Sequence, residues 1–158
     1  MQIFVDADAC PVREIIYKEA QTRGVHVTMV VSMAHEIRAQ EGMDVLRVDS
    51  AFQAVDIAII NRAASGDIVV TSDFGLASIV LGKGAKVMSP SGRIYSEQSI
   101  DTLLEKRHAA ARQRRGGGRV KGPKARKRAD DEAFRENLIK LIEEGRKSSG
   151  EEVGNSEE

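Results

Sequence analysis

Tryptophan is absent from this 158-residue chain, which also holds only three prolines, one cysteine, three histidines, two tyrosines and four phenylalanines. The lone Cys10 excludes an internal disulfide, and a reducing compartment is the default for such a chain. His26, His35 and His108 share no metal-ligand spacing, so zinc is not indicated. No apolar run approaches the roughly 18 residues that a membrane span needs. The amino terminus lacks the basic and apolar regions of a signal peptide. The chain therefore reads as cytoplasmic, without a membrane partner, and no internal repeat is apparent. Whether it forms a homo-oligomer stays open.

What is present suits one globular domain with a modest core and a polar extension, at 41% hydrophobic and 30% charged residues. The net charge of zero hides an asymmetry. Residues 1–100 carry 9 basic and 12 acidic residues, residues 101–129 carry 11 against 2, and residues 130–158 carry 4 against 10. The stretch from Lys106 to Arg128 contains no acid. Such a block is either a solvated arm or a clamp for phosphates. Its excess of arginine and the glycines in RRGGGRVKGPKARKR favour a nucleic-acid backbone as the partner.

The order of elements predicts the fold. QIFVD (2–6) reads as a strand, and Pro11 opens a helix through Arg23, with Ile15, Ile16 and Ala20 inward and Gly24 as the stop. HVTMVVS (26–32), the weaker MDVLRVD (43–49), DIVVTSD (67–73) and AKVMSP (85–90) read as strands, with helices expected over 51–65 and 76–84. Continuous apolar strands alternating with helices argue for a parallel sheet covered on both faces. The expected domain is a three-layer α/β unit over residues 1–95. Helices over 96–147 would dock on the same domain and carry the basic arm at about 106–128, the first of them capped by Ser96 or Ser99, and residues 148–158 would form a disordered tail. In the last helix Phe134, Leu138, Leu141 and Ile142 form an apolar stripe suited to that docking.

Against this frame the acids stand out. Ligands of open parallel sheets bind beyond the carboxyl ends of the strands. Asp6 and Asp8 follow the first strand in VDADACPV, Asp73 ends DIVVTSD, and Asp56 sits in the apolar helical stretch AVDIAII. Carboxylates converging from separate segments repel unless a divalent cation lies between them, and Mg²⁺ or Mn²⁺ suits an all-oxygen site. Each acid also has a structural reading: Asp8 as the cap of the helix that Pro11 opens, Asp56 as a solvent-facing residue, and any strand-end aspartate as a turn former or N-cap. Asp67, after Gly66, reads as turn chemistry. Cys10, beside a helix start, is either a low-pKa thiol or a small buried residue. Thr71 and Ser72 are strand and turn residues, or polar donors to Asp73 and to a substrate.

VDADACPV, GDIVVTSDFGLA, PSGRIY, Arg107 and Gly122-Pro123 together resemble the bacterial YaiI/YqxD family over about residues 2–142, and DADACP in that position is a specific signal. That family looks like part of the PIN/NYN-like nuclease superfamily. The resemblance implies a Rossmann-like, PIN-like parallel sheet with an acidic metal site at the strand ends, in which Asp6 matches the acid after the first strand, Asp73 the acid of the T-x-D strand end, and Asp56 the helical acid. Gly75 stands where proline is common and Ser99 where asparagine is common. Neither departure removes an acid, although the second weakens a polar role at that position.

The resulting expectation is metal-dependent phosphodiester hydrolysis. Asp6, Asp8, Asp56 and Asp73 are the candidate catalytic residues, and Asp6, Asp73 and Asp56 would be the metal ligands. Thr71, Ser72, Arg107, Arg112, Arg114, Arg115 and Arg119 are the candidate substrate contacts. RNA is favoured over DNA by superfamily analogy alone. Two alternatives are open. One is a nucleic-acid-binding module without catalysis. The other is a haloacid dehalogenase-like phosphatase with Asp6 as nucleophile, for which Lys83 and Lys86 are the candidate lysines.

Overall fold

Alternation inside the apolar runs sorts the side chains into two layers. The computed structural model describes residues 1–33, 35–115 and 125–148. Strands β1 (Gln2–Asp6), β2 (His26–Ser32), β3 (Met43–Val48), β4 (Ile68–Val70) and β5 (Lys86–Met88) are parallel. A short strand β6 (Ile94–Tyr95) joins β5 antiparallel at the edge, and the sheet order is β3-β2-β1-β4-β5-β6. Ile3, Val5, Val27, Met29, Val31, Ile68 and Val70 face one layer, while Phe4, Val30, Val69 and Val87 face the other. Strands buried on both faces must be apolar throughout, which is why they read as continuous runs.

Helices α1 (Arg13–Thr22) and α5 (Arg128–Ser148) cover the first face. Helices α2 (Ala54–Arg62), α3 (Phe74–Gly82) and α4 (Glu97–Arg115) cover the second. The protein is thus a three-layer, Rossmann-like α/β fold. The stripe of Phe134, Leu138, Leu141 and Ile142 on α5 is buried in the same cluster as Ile16 and Ala20 of α1. Phe134 is wholly buried, which contributes about 2–3 kcal/mol. It sits over the β5–β6 turn at Gly92, whose φ is +94° and where a Cβ would meet the Phe134 backbone nitrogen at 3.0 Å. Only glycine meets both conditions.

Several boundaries differ from the sequence reading. α1 begins at Arg13, two residues after Pro11, and its N-cap Val12 offers no side-chain bond. α2 begins only at Ala54, because Gln53 takes a left-handed backbone with φ of 63°. β4 stops at Val70, so Thr71–Asp73 leave the sheet to start α3. The two-residue β6 has too little sequence to announce itself. At α4 both expected caps operate: the Ser96 hydroxyl accepts from the Ser99 amide at 3.2 Å and the Ser99 hydroxyl from the Ser96 amide at 2.7 Å. This reciprocal pair is a capping-box arrangement, so Ser99 does have a polar role. Among the described residues no helix is long and apolar enough to cross a membrane. The basic stretch 116–124 and the tail 149–158 lie outside the described residues.

Candidate functional site

Chain connections run outward in both directions from the central pair β1 and β4, and the crevice beyond the carboxyl ends of such a pair is where this architecture binds ligands. Asp6 ends β1, and Thr71, Ser72 and Asp73 follow β4 directly. Asp6, Asp8, Asp56 and Asp73 all line one pocket of about 360 Å³ in that crevice, together with Ser32, Asp49 and the Ser50–Val55 segment. A separate cleft of about 450 Å³, lined by Tyr17, Met29, Ile37 and Met43 among others, shares no residue with it.

Thr71 organises the centre of this pocket. Wholly buried, it is pinned by its amide to the Met88 carbonyl at 3.0 Å. Its hydroxyl donates to Asp6 Oδ2 at 2.8 Å and accepts from the Asp73 amide at 3.0 Å. A side chain so enclosed cannot touch a substrate, so Thr71 is a positioning residue, which corrects its assignment as a substrate contact. Ser72 is exposed beside it.

The aspartates divide by environment. Asp73 is the N-cap of α3, its Oδ1 accepting from the Leu76 amide at 2.9 Å. Asp8 does not cap α1. Its Oδ1 accepts from the Ser32 amide at 2.9 Å and hydroxyl at 3.3 Å, and lies 3.1 Å from His35 Nδ1. Asp8 therefore ties the loop after β1 to the end of β2. Burial pushes the Asp6 carboxyl above its ordinary range, with Asp8 and Asp73 adding to the rise and the Thr71 hydrogen bond opposing it. Asp56, in the first turn of α2, is pushed up to about 6 by burial and by the charges of Asp73 and Asp6. It is half-buried and lines the same pocket as Asp6, Asp8 and Asp73.

The donor set is all oxygen, and mutual repulsion with partial desolvation is the state that a hard divalent cation relieves. The chemistry of the residues fits Mg²⁺ or Mn²⁺. Among the described residues, however, no group of three or more His, Cys, Asp or Glu side chains is placed so that it could hold a metal ion.

Other candidates lie elsewhere. Arg107 and Arg112 are exposed on α4, and no ion pair joins them to the acids among the described residues. Arg119 and the side chains of Arg114 and Arg115 lie outside the described residues. Cys10 is buried, and its thiol is raised, chiefly by that burial, so it is no activated nucleophile. Lys83 bonds to the Ile60 carbonyl at the end of α2, and Lys86 opens β5 and pairs with Glu144 at 3.5 Å. Both belong to the amino-terminal edge of the sheet, so neither serves Asp6 in the way the phosphatase reading requires. Asp67, at that same edge, accepts from the Ala64 amide at 2.9 Å, as turn chemistry predicts, and also from the Gln2 amide of β1 at 2.9 Å. Sequence reasoning missed Ser32 and His35, which reach Asp8 only through the pairing of β1 with β2. It also missed Asp49 and Phe52 on the pocket rim, for which no local motif existed.

Comparison with known proteins places this chain among close relatives. The model of the family described as "Uncharacterized BCR, YaiI/YqxD family" matches residues 4–144. A UPF0178 protein of Ruminiclostridium cellulolyticum is 48% identical over 143 residues, 90% of this chain and 92% of the relative. Those of Alkaliphilus metalliredigens and Clostridium tetani are 38% and 43% identical, covering 98% and 93% of this chain and 99% and 100% of their own lengths. No solved structure matches significantly. With a family model spanning nearly the whole chain and relatives aligned almost end to end, this protein belongs to the YaiI/YqxD family.

Proposed function

We propose that this protein is a metal-dependent phosphodiesterase acting on nucleic acid, with RNA as the favoured substrate. The observation that carries the reading is the convergence of Asp6, Asp8, Asp56 and Asp73 on one pocket at the central strand ends. Asp6, Asp73 and Asp56 would hold Mg²⁺ or Mn²⁺. When bound, that ion supplies Lewis-acid polarisation of a phosphoryl oxygen and an activated water. The protein's own part is positional. Thr71 fixes the Asp6 carboxylate and the Asp73 amide in one motion. Asp8 locks the β1 loop onto β2 through Ser32, and α3 orients Asp73 through its cap.

The PIN-like resemblance and the basic stretch from Lys106 to Arg128 support a polyanionic substrate. Arg107, Arg112 and the arm would compensate for the acidic face toward which a phosphate backbone must move. The same reading sets the protein in the cytoplasm, where Cys10 stays reduced.

The test is cleavage of single-stranded RNA with and without Mn²⁺, alongside melting curves. Native protein should cleave only with the cation and melt higher in its presence. Asp6→Asn and Asp73→Asn should lose both responses while folding normally. Metal-independent binding of RNA with no turnover would replace this reading by the non-catalytic module. Turnover of a simple phosphate monoester alone would replace it by a phosphatase.

A further inference from the structure

Phe4, Phe134 and Tyr95 are buried, and Tyr17 and Phe74 are half-buried, yet Phe52 is 90% exposed. A chain this poor in aromatics places one of its few rings in water. Phe52 belongs to the turn that enters α2, closed by the Ala54 amide to the Ala51 carbonyl at 3.1 Å. The next residue, Gln53, is the only non-glycine with positive φ among the described residues, at 63°. That position in a turn ordinarily favours glycine. Phe52 lines the same pocket as Asp6, Asp8, Asp56 and Asp73. An exposed phenyl ring is thus held on the lip of the acidic crevice.

We propose that Phe52 is a stacking platform for an unpaired nucleobase whose backbone crosses the acidic pocket, so that the substrate is single-stranded nucleic acid. This rests on the phosphodiesterase reading of that pocket and narrows it. Aromatic side chains bind single strands because every base has a π-face, whereas bases inside a duplex have theirs covered. The pocket itself repels phosphates, and the basic stretch attracts them only through screened charge. Phe52 supplies an anchor that neither salt nor the acids weaken. It reads no base edge, so it tolerates any sequence.

The absence of tryptophan makes the test direct, because Phe52→Trp introduces the only indole. In the full chain carrying Asp6→Asn to block turnover, indole emission should be quenched by a short mixed-sequence single-stranded RNA and unmoved by the same sequence as a duplex. Phe52→Ala should weaken single-strand binding about tenfold without changing the slope of affinity against salt. Phe52→Tyr should restore binding and Phe52→Leu should not. Since the ring is exposed, these variants should melt like the parent.

Unmoved emission at saturating RNA, or native-like affinity in Phe52→Ala or Phe52→Leu, overturns the inference. If native protein cleaves with Mn²⁺ and Phe52→Ala cleaves with the same KM, the platform falls while the phosphodiesterase stands. If quenching and the loss of affinity appear but native protein never cleaves, the platform stands and the phosphodiesterase falls. If no strand binds at all, both fall.

Discussion

The Thr71 hydroxyl joins two strand ends at once, donating to Asp6 at 2.8 Å while accepting from the Asp73 amide at 3.0 Å. Both bonds are sheltered, so removing the hydroxyl leaves a carboxylate oxygen without its donor and an amide without its acceptor. Thr71→Val, which keeps the branched shape, should cost about 1–3 kcal/mol in urea unfolding and weaken the Mn²⁺-induced rise in Tm. Thr71→Ser should recover most of both. A valine variant with unchanged stability and metal response would show that the clamp is incidental.

Asp73 is a helix cap and, in the proposed reading, would also be a metal ligand, two roles that the sequence presented as alternatives. Asparagine accepts from the Leu76 amide as well as aspartate does, whereas alanine cannot. Asp73→Ala should therefore lose about 1 kcal/mol of apo stability, and Asp73→Asn almost none. Both should lose the Mn²⁺ response, because neither carries the charge. Calorimetric scans with and without the cation separate the two contributions. Retention of the metal shift in Asp73→Asn would leave Asp73 as a cap only.

These two residues also mark how far the sequence was legible. Strands β1, β2 and β4 announced themselves because burial on both faces demands uninterrupted apolar residues. The parallel order followed from helices alternating with them. Asp6 and Asp73 could be placed at one edge because both follow strands that must end on the same side. Thr71 was ambiguous, since a buried threonine bonding across the sheet and one merely ending a strand have the same local sequence. The Asp8–Ser32 bond joins residues 24 positions apart and leaves no periodic trace. The late start of α2 came from Gln53 adopting a backbone that its side chain disfavours, which propensity argues against. Phe52, the residue before it, is exposed.

The acids leave a signature in the pH dependence of folding. The Asp56 carboxyl is raised from 3.8 to about 6, chiefly by burial and then by Asp73 and Asp6, and Asp6 is raised as well. A carboxyl with a higher pKa in the native state holds more proton there than in the unfolded chain between the two values. Its stabilising contribution is therefore full below about 4 and is lost as pH rises through about 6. Apo protein should lose stability across that window relative to Asp56→Asn, by on the order of 1 kcal/mol once solvent screening at this half-buried site is allowed for. Above about 6 the two curves should run parallel. Added Mn²⁺ should act in the opposite sense, stabilising native protein more as the carboxyls ionise. Urea titrations across the window, with and without Mn²⁺, measure both effects. If native and Asp56→Asn proteins keep a constant difference throughout, Asp56 carries no raised pKa and does not belong to the acidic cluster.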